Sequence, residues 1–345
     1  MRETQTRRAL IAAAALAFAA GCSGNSASLA PGQSSSVMPS TRQVSSGMRR
    51  IPGSAVEGAY LVPLVPRVWN LPHVWPNMGK QPQVLFVADP QDNQVLMYDP
   101  KTPNPTPSGS ITNGIDYPFG VAVDKKGTLY VANLLGGSPN IGSIALYPSG
   151  ASSPSLTITN GVDNPYGIAV DSKGDIFAAN LGNDTIVGYK PHKTKPFETI
   201  AFNALGQALG VGVDGNNNIW IGSDSTNQVY EIPAGSSTPQ NAGLSGLNGT
   251  INVAFGKKDV MYVSNFSGSN VQVYAYGTTT PSQTITKGIE VDGPTFGGFT
   301  SSGYYFQSNQ NSNVSGYKRG KSSPFSTITG IPDPRGIAST PLIKR

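Results

Sequence analysis

Two stretches, PFGVAVDKKGTLYVAN (residues 118–133) and PYGIAVDSKGDIFAAN (residues 165–180), are near copies of one another. In each, a short apolar run is stopped by Asp-Lys-Lys-Gly or Asp-Ser-Lys-Gly, and a second apolar run follows and ends on Asn. Asp and Gly are the residues that set a tight bend, Gly by taking a left-handed backbone conformation. Each copy therefore reads as two strands joined by a hairpin turn.

The pattern recurs with a period of roughly 40 to 47 residues, the range in which repeats build propeller blades or solenoid units. Weaker copies are ALGVGVDGNNNIWIGS (208–223), TINVAFGKKDVMYVSN (250–265) and PTFGGFTSSGYYFQS (294–308). Four strands are predicted per repeat. Strand a is the GVAVD-type run. Strand b carries an aromatic at Phe86, Tyr130, Phe177, Trp220, Tyr262 and Tyr305. Strand c ends on Tyr98, Tyr147, Tyr189, Tyr274 and Tyr317, with Ile232 in the remaining copy, and strand d is the SLTITNG-type run. The b strands are apolar at both parities, so both faces are expected to be covered, as in a blade held between two neighbours.

Six b strands stand against only five preceding a strands. The missing partner is PRGIAS (334–339), which matches PFGVAV and PYGIAV but lies at the C-terminus. The fold predicted is all-β: a six-bladed β-propeller over residues 83–345 whose first blade is split and closed by the C-terminal strand. Such closure removes the open edges that invite aggregation.

The pattern PxGIAVDxxGxxYVAN followed by an N-x-x-V-x-x-Y strand resembles the NHL-repeat propellers. It also resembles their six-bladed relatives, the gluconolactonase and senescence-marker-protein group and the virginiamycin B lyase group. The resemblance runs from about residue 84 to 340. It is specific for fold and not for activity, because these relatives include hydrolases, lyases and binding modules.

Composition agrees with the repeat: 41 Gly, 28 Pro and only 12 % charged residues suit many short strands and tight turns. The formal charge of +5 loses +2 once residues 1–21 are removed, because that segment holds Arg2, Arg7 and Arg8 against Glu3. No basic stripe remains, and nucleic acid is not an expected partner. Arg7-Arg8 precede an apolar run from 9 to 20, too short for a permanent span but suited to a signal peptide. It ends Ala19-Ala20-Gly21-Cys22, and Cys22 is the one cysteine. This junction resembles the lipobox of bacterial lipoproteins, although Ala19 stands where that family usually has Leu. The resemblance implies cleavage before Cys22, lipidation of its sulfur, and an exported protein held to the cell envelope by its acyl chains. Residues 22–59, rich in Ser, Pro and Gly, read as a flexible tether. Residues 60–82 read as a proline-rich apolar arm packed on the body.

In propellers of the resembled groups, strand a lines the central channel, and the d-to-a and b-to-c connections share one face. By that resemblance Phe119, Tyr166, Leu209, Ile251, Phe296 and Arg335 ring the channel mouth. The lactonase relatives hold a metal there with carboxylate and amide oxygens, and the lyase relatives need a His and a Glu. This ring has no carboxylate, while a hard cation needs several oxygen ligands. His73 falls in the arm and His192 in a c-to-d connection, so neither suits a base at the mouth. No metal and no cofactor is expected. Asp124, Asp171 and Asp214 recur at a-to-b turns and read as turn formers rather than calcium ligands. The residues ending the b strands are read as Asp89, Asn133, Asn180, Ser223, Asn265 and Ser308, short polar side chains that form Asx or Ser turns into strand c or else face a ligand.

Two readings of the mouth stand. The apolar side chains pack together and plug the channel, or Phe119, Tyr166 and Phe296 form a platform for a sugar or peptide. In the second reading Arg335, Asn133, Asn180 and Asn265, with nearby Asn183 and Asn309, supply polar contacts. The leading expectation for function is a monomeric, membrane-anchored binding or scaffolding propeller that presents one face to an envelope protein, peptide or glycan without catalysis. The alternative is a lactonase-like hydrolase or lyase with a rearranged mouth.

Overall fold

The computed structural model describes residues 83–137 and 141–340. The expected signal peptide, lipidated Cys22, tether, proline-rich arm and His73 lie outside the described residues. Six four-stranded antiparallel sheets make up the body, with two short 3-10 turns at Asn203–Leu205 and Lys257–Asp259. Among the described residues no helix is long and apolar enough to cross a membrane.

Each sheet is one blade, ordered a to d from the channel outward. Blade 2 shows the plan: Pro118–Val123, Leu129–Asn133, Ser143–Tyr147 and Leu156–Ile158. Blade 3 starts with Pro165–Val170, blade 4 with Val211–Val213, blade 5 with Thr250–Phe255 and blade 6 with Pro294–Phe299. Blade 1 is split. Ile337–Ser339 pairs antiparallel with Leu85–Asp89, matching Leu85 to Ser339 and Val87 to Ile337. Gln94–Tyr98 and Gly109–Ile111 complete it. The two ends of the described chain are thus held together by main-chain hydrogen bonds, and Thr340 N donates to Val84 O at 2.9 Å.

No single centre exists for the core. Six clusters of buried side chains fill the six spaces between neighbouring blades. The double-sided apolar character of strand b has its cause here: Phe86 and Ala88 pack toward blade 2, whereas Leu85 and Val87 pack toward blade 6. A strand covered on both faces has no polar parity.

Around the channel the a strands approach backbone to backbone. Gly336 N donates to Phe119 O at 2.8 Å, joining blade 1 to blade 2, and Gly210 N donates to Ile251 O at 2.8 Å, joining blade 4 to blade 5. Only glycine permits this approach. A Cβ on Gly167 would lie 2.5 Å from Leu209 O, and one on Gly336 would lie 2.4 Å from Phe119 O.

Blade 6 departs from the expected alignment by one residue. Gly297 pairs with Gln307 as Val121 pairs with Val131, so Thr295 occupies the place of Phe119, and Phe296 that of Gly120. Its b strand, Tyr305–Asn309, ends on Asn309 rather than Ser308. The backbone framework is the same as in blade 2, with Pro294 paired to Asn309 as Pro118 is to Asn133 and the same register shift after it; the residue types are set one position along that framework.

Candidate functional site

The described geometry at the channel mouth is a stack. Phe119 and Tyr166 have ring centroids 4.8 Å apart, and Tyr166 and Phe296 5.3 Å apart. Blades 3 and 6 face each other across the ring, so the second contact spans the channel. Tyr117 extends the stack, 5.6 Å from Phe119. Phe119 and Tyr166 are each 3 % exposed and Phe296 5 %, while Leu209 and Ile251 are fully buried beside them. Offset aromatic packing of this kind adds to the area it buries. Phe296 joins the stack from a position that is glycine in blades 1 to 4 and meets Tyr166 from the opposite blade. Burial pushes the Tyr166 phenol up to about 12.

Arg335 closes the stack. Its guanidinium carbon lies 5.0 Å from the Phe119 ring centre. Nη2 donates to Asp333 Oδ2 at 3.1 Å, Nε lies 2.9 Å from Asp333 Oδ1, and Nη1 donates to Gln310 Oε1 at 3.0 Å. Arg335 and Asp333 are both buried. A guanidinium engaged on three sides is a structural clamp, fixing the last turn of chain before the closing strand.

The strand-end amides are equally committed. Asn133 Nδ2 donates to Gly114 O at 2.9 Å, and its Oδ1 accepts from Asp116 N at 3.1 Å. Asn180 repeats this on Gly161 O and Asp163 N. Asn265 donates to Gly246 O, and Asn309 donates to Gly288 O. Each amide thus spans the loop that carries the chain into its blade from the preceding one, satisfying backbone groups that strand pairing leaves open. Blade 4 uses Ser223, whose hydroxyl donates to Leu205 O. There the incoming loop makes a 3-10 turn at Asn203–Leu205 and brings that carbonyl within reach of a shorter side chain.

Asp89 is the exception. It stands where the other blades have an amide or hydroxyl, and it is fully buried. Gln94 Nε2 donates to its Oδ2 at 3.2 Å, while Oδ1 has no hydrogen bond of good geometry. Burial first, then the nearby Asp92 carboxylate, raises its pKa from the ordinary 3.8 to about 7.

A second tie, which sequence reasoning left without a role, uses the tyrosines ending strand c. Tyr147 OH donates to Asn113 O and Tyr189 OH to Asn160 O, both at 2.7 Å. Tyr274 and Tyr317 do the same to Ser245 O and Lys287 O. Each stitches its blade to the loop arriving from the preceding blade. The signal was their fivefold recurrence at one strand end, where an apolar residue would serve packing equally well.

Asp124, Asp171 and Asp214 are turn formers in the structure. Each Oδ1 accepts two backbone amides of its own turn: Lys126 and Thr128, Lys173 and Asp175, Asn216 and Asn218. His192 sits in a c-to-d connection with φ of 59°.

No family model matches this chain, and no curated protein does. Solved structures do. A chain of a nidogen/laminin complex superposes with a TM-score of 0.61 at 14 % identity, covering 75 % of this chain and 98 % of that one. A protein of unknown function from Bacteroides caccae gives 0.57 at 11 % identity, covering 77 % and 100 %. This chain is a six-bladed β-propeller. At these identities the likeness is one of fold.

Proposed function

We propose that the chain is an exported, lipid-anchored binding or scaffolding propeller that presents one face to an envelope protein, peptide or glycan, and that it works without catalysis. The observation that carries the reading is the stacked mouth. Where the resembled enzymes hold their ligands, Phe119, Tyr166 and Phe296 pack on one another, and Arg335 is committed to Asp333 and Gln310. The loops around this face are clipped to one another as well. Asn93 Oδ1 accepts from Tyr117 N at 2.7 Å, Asn227 Oδ1 from Gly249 N, and Ser269 Oγ from Asp292 N. A rim tied in this way suits a preorganised surface, which binds without the cost of ordering loops. The NHL-like repeat is in keeping with such a role.

The anchor is tested with the full chain expressed in a bacterial host fed a labelled fatty acid. Label and membrane association are expected in the parent and absent in Cys22→Ala. An unlabelled, freely released parent overturns the anchored reading. The catalytic part is tested by lactone hydrolysis and lyase assays on the same protein. Turnover abolished by Arg335→Gln or Tyr166→Ala, in variants that keep their fold, overturns the binding reading in favour of an enzyme with a rearranged mouth.

A further inference from the structure

A second concavity lies far from the mouth, between blades 4 and 5 at the a-to-b turns. It is a cleft of about 250 Å³, too small for a large ligand but matched to one side chain or a small molecule. Its aromatic walls are Trp220, Phe255 and Tyr276, and its carboxylates are Asp214, Glu231 and Asp259; no Lys, Arg or His lines it.

The walls are held in place. Asp214 Oδ2 accepts from Trp220 Nε1 at 3.1 Å, and Tyr276 OH accepts from Asn216 Nδ2 at 3.2 Å. Asp259, from blade 5, accepts from Gly215 N in blade 4 at 2.8 Å and so locks the two turns together. Trp220 and Phe255 have ring centroids 5.7 Å apart. Tyr276 is 62 % exposed, an unusual exposure for a large ring with a fixed hydroxyl.

Glu231 is what the repeat does not explain. It pairs with Trp220 across strands b and c. The corresponding pairs in the other blades are Phe86–Met97, Tyr130–Leu146, Phe177–Gly188, Tyr262–Val273 and Phe306–Gly316, Phe306 rather than Tyr305 holding the strand-b aromatic position of blade 6. Five blades therefore put an apolar side chain or none at this inter-blade position, and blade 4 puts a carboxylate there. Glu231 is partly buried and makes no salt bridge among the described residues. Its pKa is raised, first by burial and then by Asp214, so the site holds a carboxylate that a cation would relieve.

Blade 3 shows what such an arrangement accepts. There Lys190 Nζ lies 4.2 Å from the Phe197 ring centre and 2.7 Å from Asp175 Oδ2, an ammonium held between an aromatic face and a carboxylate. Blade 4 has the faces and the carboxylates and lacks the internal lysine. We propose that the cleft between blades 4 and 5 binds a primary alkylammonium, the head of a lysine side chain or of a small aliphatic amine. The apolar stem lies against Trp220 and Phe255, and the ammonium reaches Glu231 and Asp259. The site requires only the propeller, and it stands whether or not the chain is anchored to a membrane.

The test follows the indole N–H signal of Trp220 by 1H–15N NMR on the full chain in non-ionic detergent, the signal being identified by its loss in Trp220→Phe. n-Butylammonium chloride is expected to shift it saturably. Equal concentrations of n-butanol or sodium chloride are expected to leave it in place. Glu231→Gln, which keeps size and shape, is expected to weaken binding at least tenfold, and binding is expected to fade as pH drops and Glu231 takes up a proton. A short lysine-containing peptide distinguishes the source. Tighter binding than butylammonium points to a protein partner, and equal or weaker binding points to a free amine; both outcomes support the site. No saturable shift, an equal response to sodium chloride, or unchanged affinity in a folded Glu231→Gln overturns it.

Discussion

Asp89→Asn is expected to stabilise the propeller at pH 8 far more than at pH 4.5. In the folded chain the carboxyl holds its proton up to about pH 7, against an ordinary value of 3.8. Below the lower value both folded and unfolded chains are protonated, and Asp89 imposes no ionisation penalty. As pH rises between the two values, the unfolded chain releases the proton first and stability falls; above about 7 the penalty is complete. At about 1.36 kcal/mol per pH unit, the Asn variant is expected to gain about 3 kcal/mol on the parent between pH 4.5 and pH 8. Asn also brings a donor that the carboxylate lacks. In four other blades the amide at this strand end donates to a loop carbonyl, that of Gly114, Gly161, Gly246 or Gly288. Gly330, with φ of 84°, holds the corresponding place before the closing strand. Urea unfolding of parent and variant at both pH values measures the difference, and titration of groups that do not interact with Asp89 cancels between the two proteins. A gain that is equal at the two pH values, or that differs by less than about 1 kcal/mol, refutes the raised pKa and the account of Asp89 as a misfit among amides.

Gly167→Ala is expected to lower stability by about 1–3 kcal/mol, the usual cost of forcing extra volume into a packed site, since its Cβ meets Leu209 O at 2.5 Å; a melting temperature equal to the parent's would contradict the backbone contact. Tyr189→Phe removes the bond to Asn160 O and is expected to cost about 1 kcal/mol by chemical denaturation, whereas Tyr98→Phe, for which no such tie is seen, is expected to cost less. Arg335→Met leaves Asp333 buried beside no cation, and about 3–5 kcal/mol is expected to be lost; a folded variant of parental stability would show that the pair is not a clamp. Deleting residues 334–345 removes the inner strand of blade 1 and bares the edge of Leu85–Asp89, so concentration-dependent association is expected in light scattering.

Much of the fold was legible because a blade is a local object. The hairpin turns of strands a and b, the double-sided apolar b strand and the unpaired PRGIAS at the C-terminus are all properties of short segments, and each follows from which residues bend, which pack on two faces and which lack a partner. Blade 6 was legible only to within one residue. PTFGGF contains an aromatic and glycines in an order that fits the repeat in two registers, and the choice is made by pairing Gly297 with Gln307.

The mouth was legible as a set of residues and not as a state. That Phe119, Tyr166 and Arg335 meet there follows from the repeat. Whether six side chains leave an opening depends on how far each reaches across the axis, and Phe296, set at a glycine position, reaches Tyr166 from the opposite blade. The strand-end amides show the same limit: Asn133, Asn180 and Asn265 suit a ligand or a loop equally well by type. The distance to Gly114 O, Gly161 O and Gly246 O shows which they serve here.

By itself the sequence determined the blade, the count of six and the closure by the C-terminal strand, since these rest on short-range pattern and on pairing that must balance. The tertiary structure alone decided that the channel mouth is stacked shut, that Asp89 is a buried carboxyl among amides, and that Glu231 faces an aromatic cleft. Each of those depends on side chains from different blades meeting across a gap of a few ångströms, and no repeat read along a single chain carries that distance.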